Sequence, residues 1–236
     1  VFSIQNSGIN VDINFNDNKK NNKISGTFKS KIINTNIKLN FDYDDNILKI
    51  TNFNLRNKNI SFKNESFVVF KPFSQINSRF DIQEFDKKIF KIINLNDLLS
   101  EKNILKKISI KSEIYFTPKK FYQIPFNDLT LDVNLAYGRI NYFKKIEIPE
   151  GLIQCQGDLN FLEDYPTLIF DCFLISNNKG KLFKEFSIKT KSKNKNIKLN
   201  FSGNFSLTNQ KINFKKISMN DSYTASKEDL IYFKES

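Results

Sequence analysis

Apolar side chains alternate with Asn, Lys, Asp and Ser along nearly the whole chain, and this alternation limits the fold more than any other feature. Successive residues of a β-strand point to opposite faces, so a period of two predicts strands with one apolar and one polar face. The clearest such segments are 9–15, 24–32, 37–43, 47–55, 108–116, 129–137, 153–161, 168–174 and 197–207.

Short clusters of Asn, Asp, Lys or Gly join most of these segments, as at 16–22, 42–46 and 177–180. Clusters of this kind favour hairpin turns, and consecutive hairpins make an antiparallel meander. We therefore predict an all-β fold: a mostly antiparallel meander forming a curved open sheet or a taco-like groove. A closed β-sandwich with a dry core uses the same alternation and is the alternative.

Two segments break the alternation and predict short helices. Apolar residues between Leu95 and Ile108 have helical spacing, with Asn94 or Asn96 as the cap. Ser226 and Asp229 have the spacing of a capping box, which predicts a terminal helix. The expected organisation is a β section over 1–93, a helical insert at 94–107, a β-meander over 108–225 and a helix at 226–236, together one continuous β domain.

The net charge of +12 comes almost entirely from Lys, since Arg occurs only at positions 56, 79 and 139. Arg is the preferred partner of phosphate and guanine, so we interpret the charge as a solvated outer face combined with an AT-rich coding bias. Aromatic residues near Lys, as in 183–186 and 214–216, share their face with Ile and Leu, so core packing is favoured over base stacking. We expect no nucleic-acid partner.

No apolar run approaches the length of a membrane-spanning helix, and the longest is 67–70. The chain begins at Val1 and shows no signal peptide, so we expect a piece of a longer protein whose membrane anchor lies outside it.

Several residue types needed for catalysis are missing. The sequence contains no His, which removes the usual general base, the nucleophile pairs that depend on it and most catalytic zinc sites. Its seven glycines form neither a dinucleotide fingerprint nor a phosphate loop. The acidic stretch 42–46 resembles the start of a calcium loop, but Ile47 and Phe53 occupy the places of the required Gly and Glu. We predict a non-enzymatic protein with no cofactor and no metal site.

The two cysteines fall on apolar strand faces. Folding segment 153–161 back on 168–174 about a turn near Glu163 and Asp164 places Cys155 opposite Cys172. The choice lies between two buried thiols and a cross-strand disulfide, and an extracytoplasmic location favours the disulfide.

The segment 36–41 recurs as 196–201, with the sequence Asn-Ile-Lys-Leu-Asn-Phe in both places. In a chain so rich in Asn and Lys the match is either chance or a genuine repeat, and repeated hairpins fit an extended, solenoid-like sheet.

The segments 37–41 and 46–55, followed by the helical stretch 96–107 and a second meander containing 151–161, resemble the AsmA-like proteins of Gram-negative bacteria. Their relatives include the large bridge-like lipid transfer proteins. The resemblance implies an inner-membrane helix followed by a long periplasmic sheet whose hydrophobic concave face shelters acyl chains. It also implies a role in lipid homeostasis or assembly of the outer membrane, with no catalytic residues to carry over.

An apolar sheet face must be covered by a second sheet, a helix or lipid, because each exposed large side chain forgoes about 1.5 to 3 kcal/mol of burial. We predict that one face forms the lining of a lipid groove, made of Ile37, Leu39, Phe41, Leu131, Val133, Leu135, Ile153, Leu159, Leu168, Phe170, Ile197, Leu199 and Phe201.

The predicted partners are phospholipid or another acyl-chain lipid, a membrane reached through the outside anchor, and neighbouring β domains of the parent chain. The predicted location is the periplasm. The first rival function is a ligand-free β-sandwich acting as an interaction or surface module. The second rival is a carbohydrate-binding or polysaccharide-acting domain, and the absence of Trp argues against it.

Overall fold

The computed structural model describes residues 2–6, 8–18, 23–86, 102–118, 126–148, 150–185, 188, 196–220 and 222–235, with the backbone alone for 2–6, 17–18 and 233–235. The chain divides into two compact units, Val1–Lys119 and Lys120–Ser236.

The first unit is built from eight strands whose spatial order follows the chain. They are β1 (Phe2–Asn6), β2 (Ile9–Asn18), β3 (Lys23–Ile32), β4 (Thr35–Asp44), β5 (Ile47–Arg56), β6 (Ile60–Val69), β7 (Ser74–Phe85) and β8 (Ile108–Phe116). Neighbours pair antiparallel from β1 to β7, whereas β7 and β8 are parallel. A parallel pair needs a connection that returns to the starting end of the sheet, and this connection contains the short helix α1 (Lys102–Leu105).

The second unit contains seven strands, again in chain order. They are β9 (Asp128–Ala136), β10 (Arg139–Ile148), β11 (Gly151–Asn160), β12 (Thr167–Ser176), β13 (Ile197–Ser206), β14 (Ile212–Met219) and β15 (Tyr223–Thr224). All of the pairs within this unit are antiparallel. Helix α2 (Lys179–Glu185) lies between β12 and β13 in the chain, and helix α3 (Lys227–Glu235) follows β15.

Within each unit, and among the described residues, the first and last strands do not pair with each other, so each sheet is open. The prediction of an all-β, mostly antiparallel, open fold is confirmed. The antiparallel meander is interrupted at β7 and β8, which the alternation did not indicate because strand direction leaves no mark on a period of two.

Tight two-residue turns join several of the strands. Asp45 and Asn46 connect β4 to β5 with positive φ angles of 38° and 75°, and Tyr137 and Gly138 connect β9 to β10 with 52° and 76°. Positive φ at both central residues matches the twist of the flanking strands, which is why Asn, Asp and Gly recur there. The hairpin predicted within 42–46 is confirmed, with a turn shorter than the acidic cluster.

The hairpin turn predicted at 177–180 is wrong, because Lys179 begins helix α2 there. The side-chain oxygen of Asn178 accepts a hydrogen bond from the backbone N–H of Lys181 at 3.0 Å, so this Asn caps a helix. Leu182, only 2 % exposed, gives the helix a buried contact that local turn propensity could not indicate.

The terminal helix is confirmed together with its capping box. The Ser226 N–H donates to Asp229 Oδ2 at 2.9 Å, and the Asp229 N–H donates to Ser226 Oγ at 3.1 Å. The insert predicted at 94–107 is helical over Lys102–Leu105, and its part before residue 102 lies outside the described residues.

Candidate functional site: two apolar sheet faces

Directly paired residues of neighbouring strands point to the same side of a sheet, so the register assigns every side chain to a face. In the first unit one such row crosses seven strands. It consists of Val11, Ser30, Ile37, Leu55, Phe62, Ile82 and Phe116. Leu39, opposite Phe28, and Phe41, opposite Ile50, point the same way. We call this side of the first unit the first apolar face.

The second unit has a corresponding side, which we call the second apolar face. Its three central rows are listed here from β9 to β14. They are Leu129, Ile146, Ile153, Leu174, Leu199 and Met219; Leu131, Lys144, Cys155, Cys172, Phe201 and Ile217; and Val133, Tyr142, Gly157, Phe170, Gly203 and Phe214. A fourth row holds Leu135, Ile140, Leu159, Leu168, Phe205 and Ile212, and Ile197 lies beyond the first row.

Every residue predicted to line the groove lies on one of these two faces. Ile37, Leu39 and Phe41 lie on the first, and the other ten lie on the second. The structure thus brings the predicted residues together within each unit.

Helix α2 covers one end of the second apolar face. Leu182 packs with Ile148 and Ile197 in a cluster of side chains that are each less than 5 % exposed. Ile153, Leu174 and Met219 pack against this cluster. Ile197 and Ile153, two of the predicted lining residues, are therefore covered by the protein's own helix.

The opposite end of the second apolar face is also buried. Leu135 and Leu159 are each 6 % exposed, and Phe161 and Leu207, which follow β11 and β13, are buried as well. Between the two ends lies a strip of large, half-buried side chains, which we call the central strip: Leu131, Val133, Tyr142, Phe170, Phe201 and Phe214.

Aromatic rings fill the space above glycines of the neighbouring strand. A Cβ added to Gly203 would lie 2.9 Å from the ring of Phe170, and one added to Gly157 would lie 2.9 Å from the ring of Tyr142. Gly26 has the same relation to Phe41, at 2.7 Å. Each of these glycines therefore leaves room for an aromatic ring of the neighbouring strand.

Phenylalanine rings also contact one another across strands. Phe53, Phe62 and Phe80 form a run on the first apolar face with centroid separations of 5.5 and 5.6 Å. Phe170 contacts Phe201 at 6.3 Å and Phe214 at 6.0 Å on the second. Such pairs contribute beyond their buried area, so they stabilise each apolar face.

A line of polar side chains crosses the first apolar face, and the alternation gave no sign of it. Ser66 Oγ donates to Asn64 Oδ1 at 2.7 Å, Asn64 Nδ2 donates to the Arg79 carbonyl at 3.0 Å, and the hydroxyls of Ser78 and Ser112 lie 2.8 Å apart. These groups satisfy one another, so the line interrupts the apolar surface without leaving polar atoms unpaired.

Cys155 and Cys172 form a disulfide, and they are directly paired residues of β11 and β12. Of the two alternatives left open by the sequence, the structure contains the bridge. Both residues are about 5 % exposed, so the disulfide is buried on the second apolar face.

One charged side chain, Lys144, lies on the second apolar face among the strand residues that the structure describes. It stands between Leu131 and Cys155 in the register. Desolvation by burial lowers the pKa of its ammonium group. Burial also raises the pKa of the neighbouring Tyr142, and the charge of Asp158 adds to that effect.

A depression of about 480 Å³ lies in the first unit, lined largely by the polar face of β5 to β8. Arg79 lies between Glu65 and Glu113 in the register, and its guanidinium lies 4.4 Å from the Tyr115 ring centroid. The lining carries charges of both signs, with Lys49, Arg79 and Lys111 beside Glu65 and Glu113, which is typical of a solvated face. In the described part of the chain, no group of three or more His, Cys, Asp or Glu could hold a metal ion.

Among the described residues, no helix has both the length and the apolar character needed to span a bilayer. No protein-family model, no curated protein and no solved structure matches this chain.

Proposed function

We propose that the two apolar faces bind lipid acyl chains and that the protein is a non-enzymatic lipid carrier. The observation that supports this most is the central strip, where large apolar side chains lie in register yet remain half-buried, and the described residues of this unit form no second sheet over them. An acyl chain supplies the missing apolar cover without requiring a shape-matched protein partner.

The polar faces fit a carrier that works beside membranes. Lys and Arg together outnumber the carboxylates across the chain, giving a net charge of +12, and most of the described Lys side chains lie on the polar sides of the strands or in turns. A basic, hydrated exterior is attracted to the negative surface of a bilayer, which brings the apolar faces close to their cargo.

The resemblance to AsmA-like proteins gives this proposal a setting. In that setting the chain belongs to a periplasmic protein that is anchored in the inner membrane. It carries phospholipid or another acyl-chain lipid toward outer-membrane assembly, and neighbouring β domains of the parent chain extend the apolar path.

The test compares two substitutions on adjacent residues of β4. Leu39 points to the first apolar face, whereas Lys38 points to the polar face opposite Asn54. Leu39→Asp removes apolar contact worth roughly 1.5 to 3 kcal/mol and adds a charge where the tail lies, whereas Lys38→Asp adds the same charge on the hydrated side.

The measurement is the amount of fluorescent NBD-labelled phosphatidylglycerol that co-elutes with each protein after incubation with vesicles. We expect Leu39→Asp to lose most of the bound lipid and Lys38→Asp to keep it. Equal losses from both substitutions would contradict binding on one face, and circular dichroism checks that both variants remain folded.

A further inference from the structure

Lys144 differs from the other lysines on the described strands of the second unit, because its side chain lies on the apolar face. Its neighbour on β10, Lys145, points to the polar face and forms an ion pair with Glu147 at 2.8 Å. Lys144 points to the apolar face, and no described residue forms a hydrogen bond or ion pair with it. The carboxylates of Asp132 and Asp158 belong to residues that the register assigns to the other face.

An ammonium group in such a place is costly for the protein. Its nearest partners in the register are Leu131 and Cys155, neither of which offers a negative charge. Burial lowers its pKa, and no neighbouring carboxylate offsets the effect. A half-buried charge without a protein partner on an apolar face is characteristic of a site completed by a ligand.

The row that contains Lys144 continues across the sheet. From β10 to β14 it runs over the disulfide to Phe201 and Ile217. Four strand spacings amount to about 19 Å, a length that suits an extended long-chain acyl tail. The row on one side of it holds Ile153 and Leu174, and the row on the other side holds Phe170 between Gly157 and Gly203.

We propose that Lys144 binds the carboxylate of a long-chain fatty acid whose tail lies along this row of the second apolar face. This rests on the proposed function and names a ligand class for one of its two faces. A carboxylate matches a single ammonium in charge and is small enough for the middle of a strand. A phosphodiester head group with two tails requires water and space at the edge of the sheet, and Arg recognises it better.

The test uses cis-parinaric acid, a fluorescent fatty acid, and its methyl ester, which has the same tail without the charge. We expect the native protein to bind the acid more tightly than the ester. We expect Lys144→Met to weaken binding of the acid about tenfold, which corresponds to the loss of one hydrogen bond to a charged group, and to leave binding of the ester unchanged. Lys145→Met serves as the matched control and changes neither, and Lys144→Arg retains the preference for the acid.

Equal binding of acid and ester to the native protein overturns the assignment of Lys144 while leaving the proposed function intact, and so does a Lys144→Met variant that binds the acid like the native protein. If neither probe binds the native protein, both proposals fail for the second unit. If binding of a dioleoyl-phosphatidylglycerol competitor depends on Lys144 as strongly as binding of the fatty acid does, the group that Lys144 binds is a phosphate and the carboxylate assignment is wrong. Circular dichroism of each variant confirms the fold.

Discussion

Reduction of the Cys155–Cys172 disulfide should weaken the second unit by an amount that follows from the chain it encloses. The two cysteines are separated by 17 residues. Closing a loop of that length in the unfolded chain removes conformational entropy equivalent to about 3 kcal/mol at 25 °C. Reduction removes no side-chain atom from the face, so packing in the folded state changes little.

The assay is guanidinium denaturation followed by far-ultraviolet circular dichroism, with and without a phosphine reductant. The expected result is a lower free energy of unfolding in the reductant, by about the amount that the enclosed loop predicts. The double variant Cys155→Ala with Cys172→Ala is the control, since the reductant should not change its transition.

Two results would refute this reasoning. An alkylating reagent that labels both cysteines of the untreated, denatured protein would show that the bridge is absent. A transition that stays in place after full reduction, verified by thiol titration, would show that the bridge does not restrict the unfolded chain.

Three further predictions concern stability. Lys144→Met should raise the free energy of unfolding at neutral pH, because a partly desolvated ammonium is removed. The pKa of Lys144 in the folded state lies below the ordinary 10.5, so between those two values the folded protein binds fewer protons than the unfolded chain and its stability rises with pH. Denaturation at several pH values should show this rise for the native protein and not for the variant. Gly203→Val should destabilise the second unit by roughly 1 to 3 kcal/mol, because the new side chain meets the Phe170 ring and the Asn213 carbonyl. Ser202→Val, on the other face, is the control and should change thermal stability little. Similar losses of stability in the two variants would contradict the close contact between Gly203 and the Phe170 ring. Asp229→Asn should fray helix α3, because the Asp229 carboxylate accepts hydrogen bonds from Ser226 and Tyr223. These bonds lower the pKa of Asp229, so the stabilisation they give is present above the ordinary pKa of 3.8 and is lost as pH falls through the lowered pKa. Amide exchange in α3 that is unchanged by the substitution would contradict the cap.

The strands found from sequence are those in which alternation is regular, and three of the missed strands have a physical reason for irregularity; β7 was missed although its alternation is regular. In β10, Lys144 occupies the apolar face and Phe143 the polar one, so the period of two disappears. In β14 the register shifts opposite Ser202 and Gly203, and two lysines follow each other there. In β6 the polar side chains of Asn64 and Ser66 lie on the apolar face, so the alternation is interrupted there.

The apolar faces could be predicted because directly opposed strand residues share a side, and alternation alone assigns that side. What covers the faces could not be predicted. Helix α2 reaches Ile148 and Ile197 through contacts distant in sequence, and nothing in its own segment indicates them. The isolation of Lys144 could not be predicted for the same reason, since it depends on β9, β10 and β11 together and appears only once the register is known.

Lipid mass spectrometry of the protein, purified from a cell extract in mild detergent, tests acyl-chain binding most directly. A carrier with open apolar faces should retain phospholipid or fatty acid, and the amount should fall when Leu39→Asp is introduced. If neither the native protein nor the Leu39→Asp variant retains lipid after purification, the proposal that acyl chains cover these faces is contradicted.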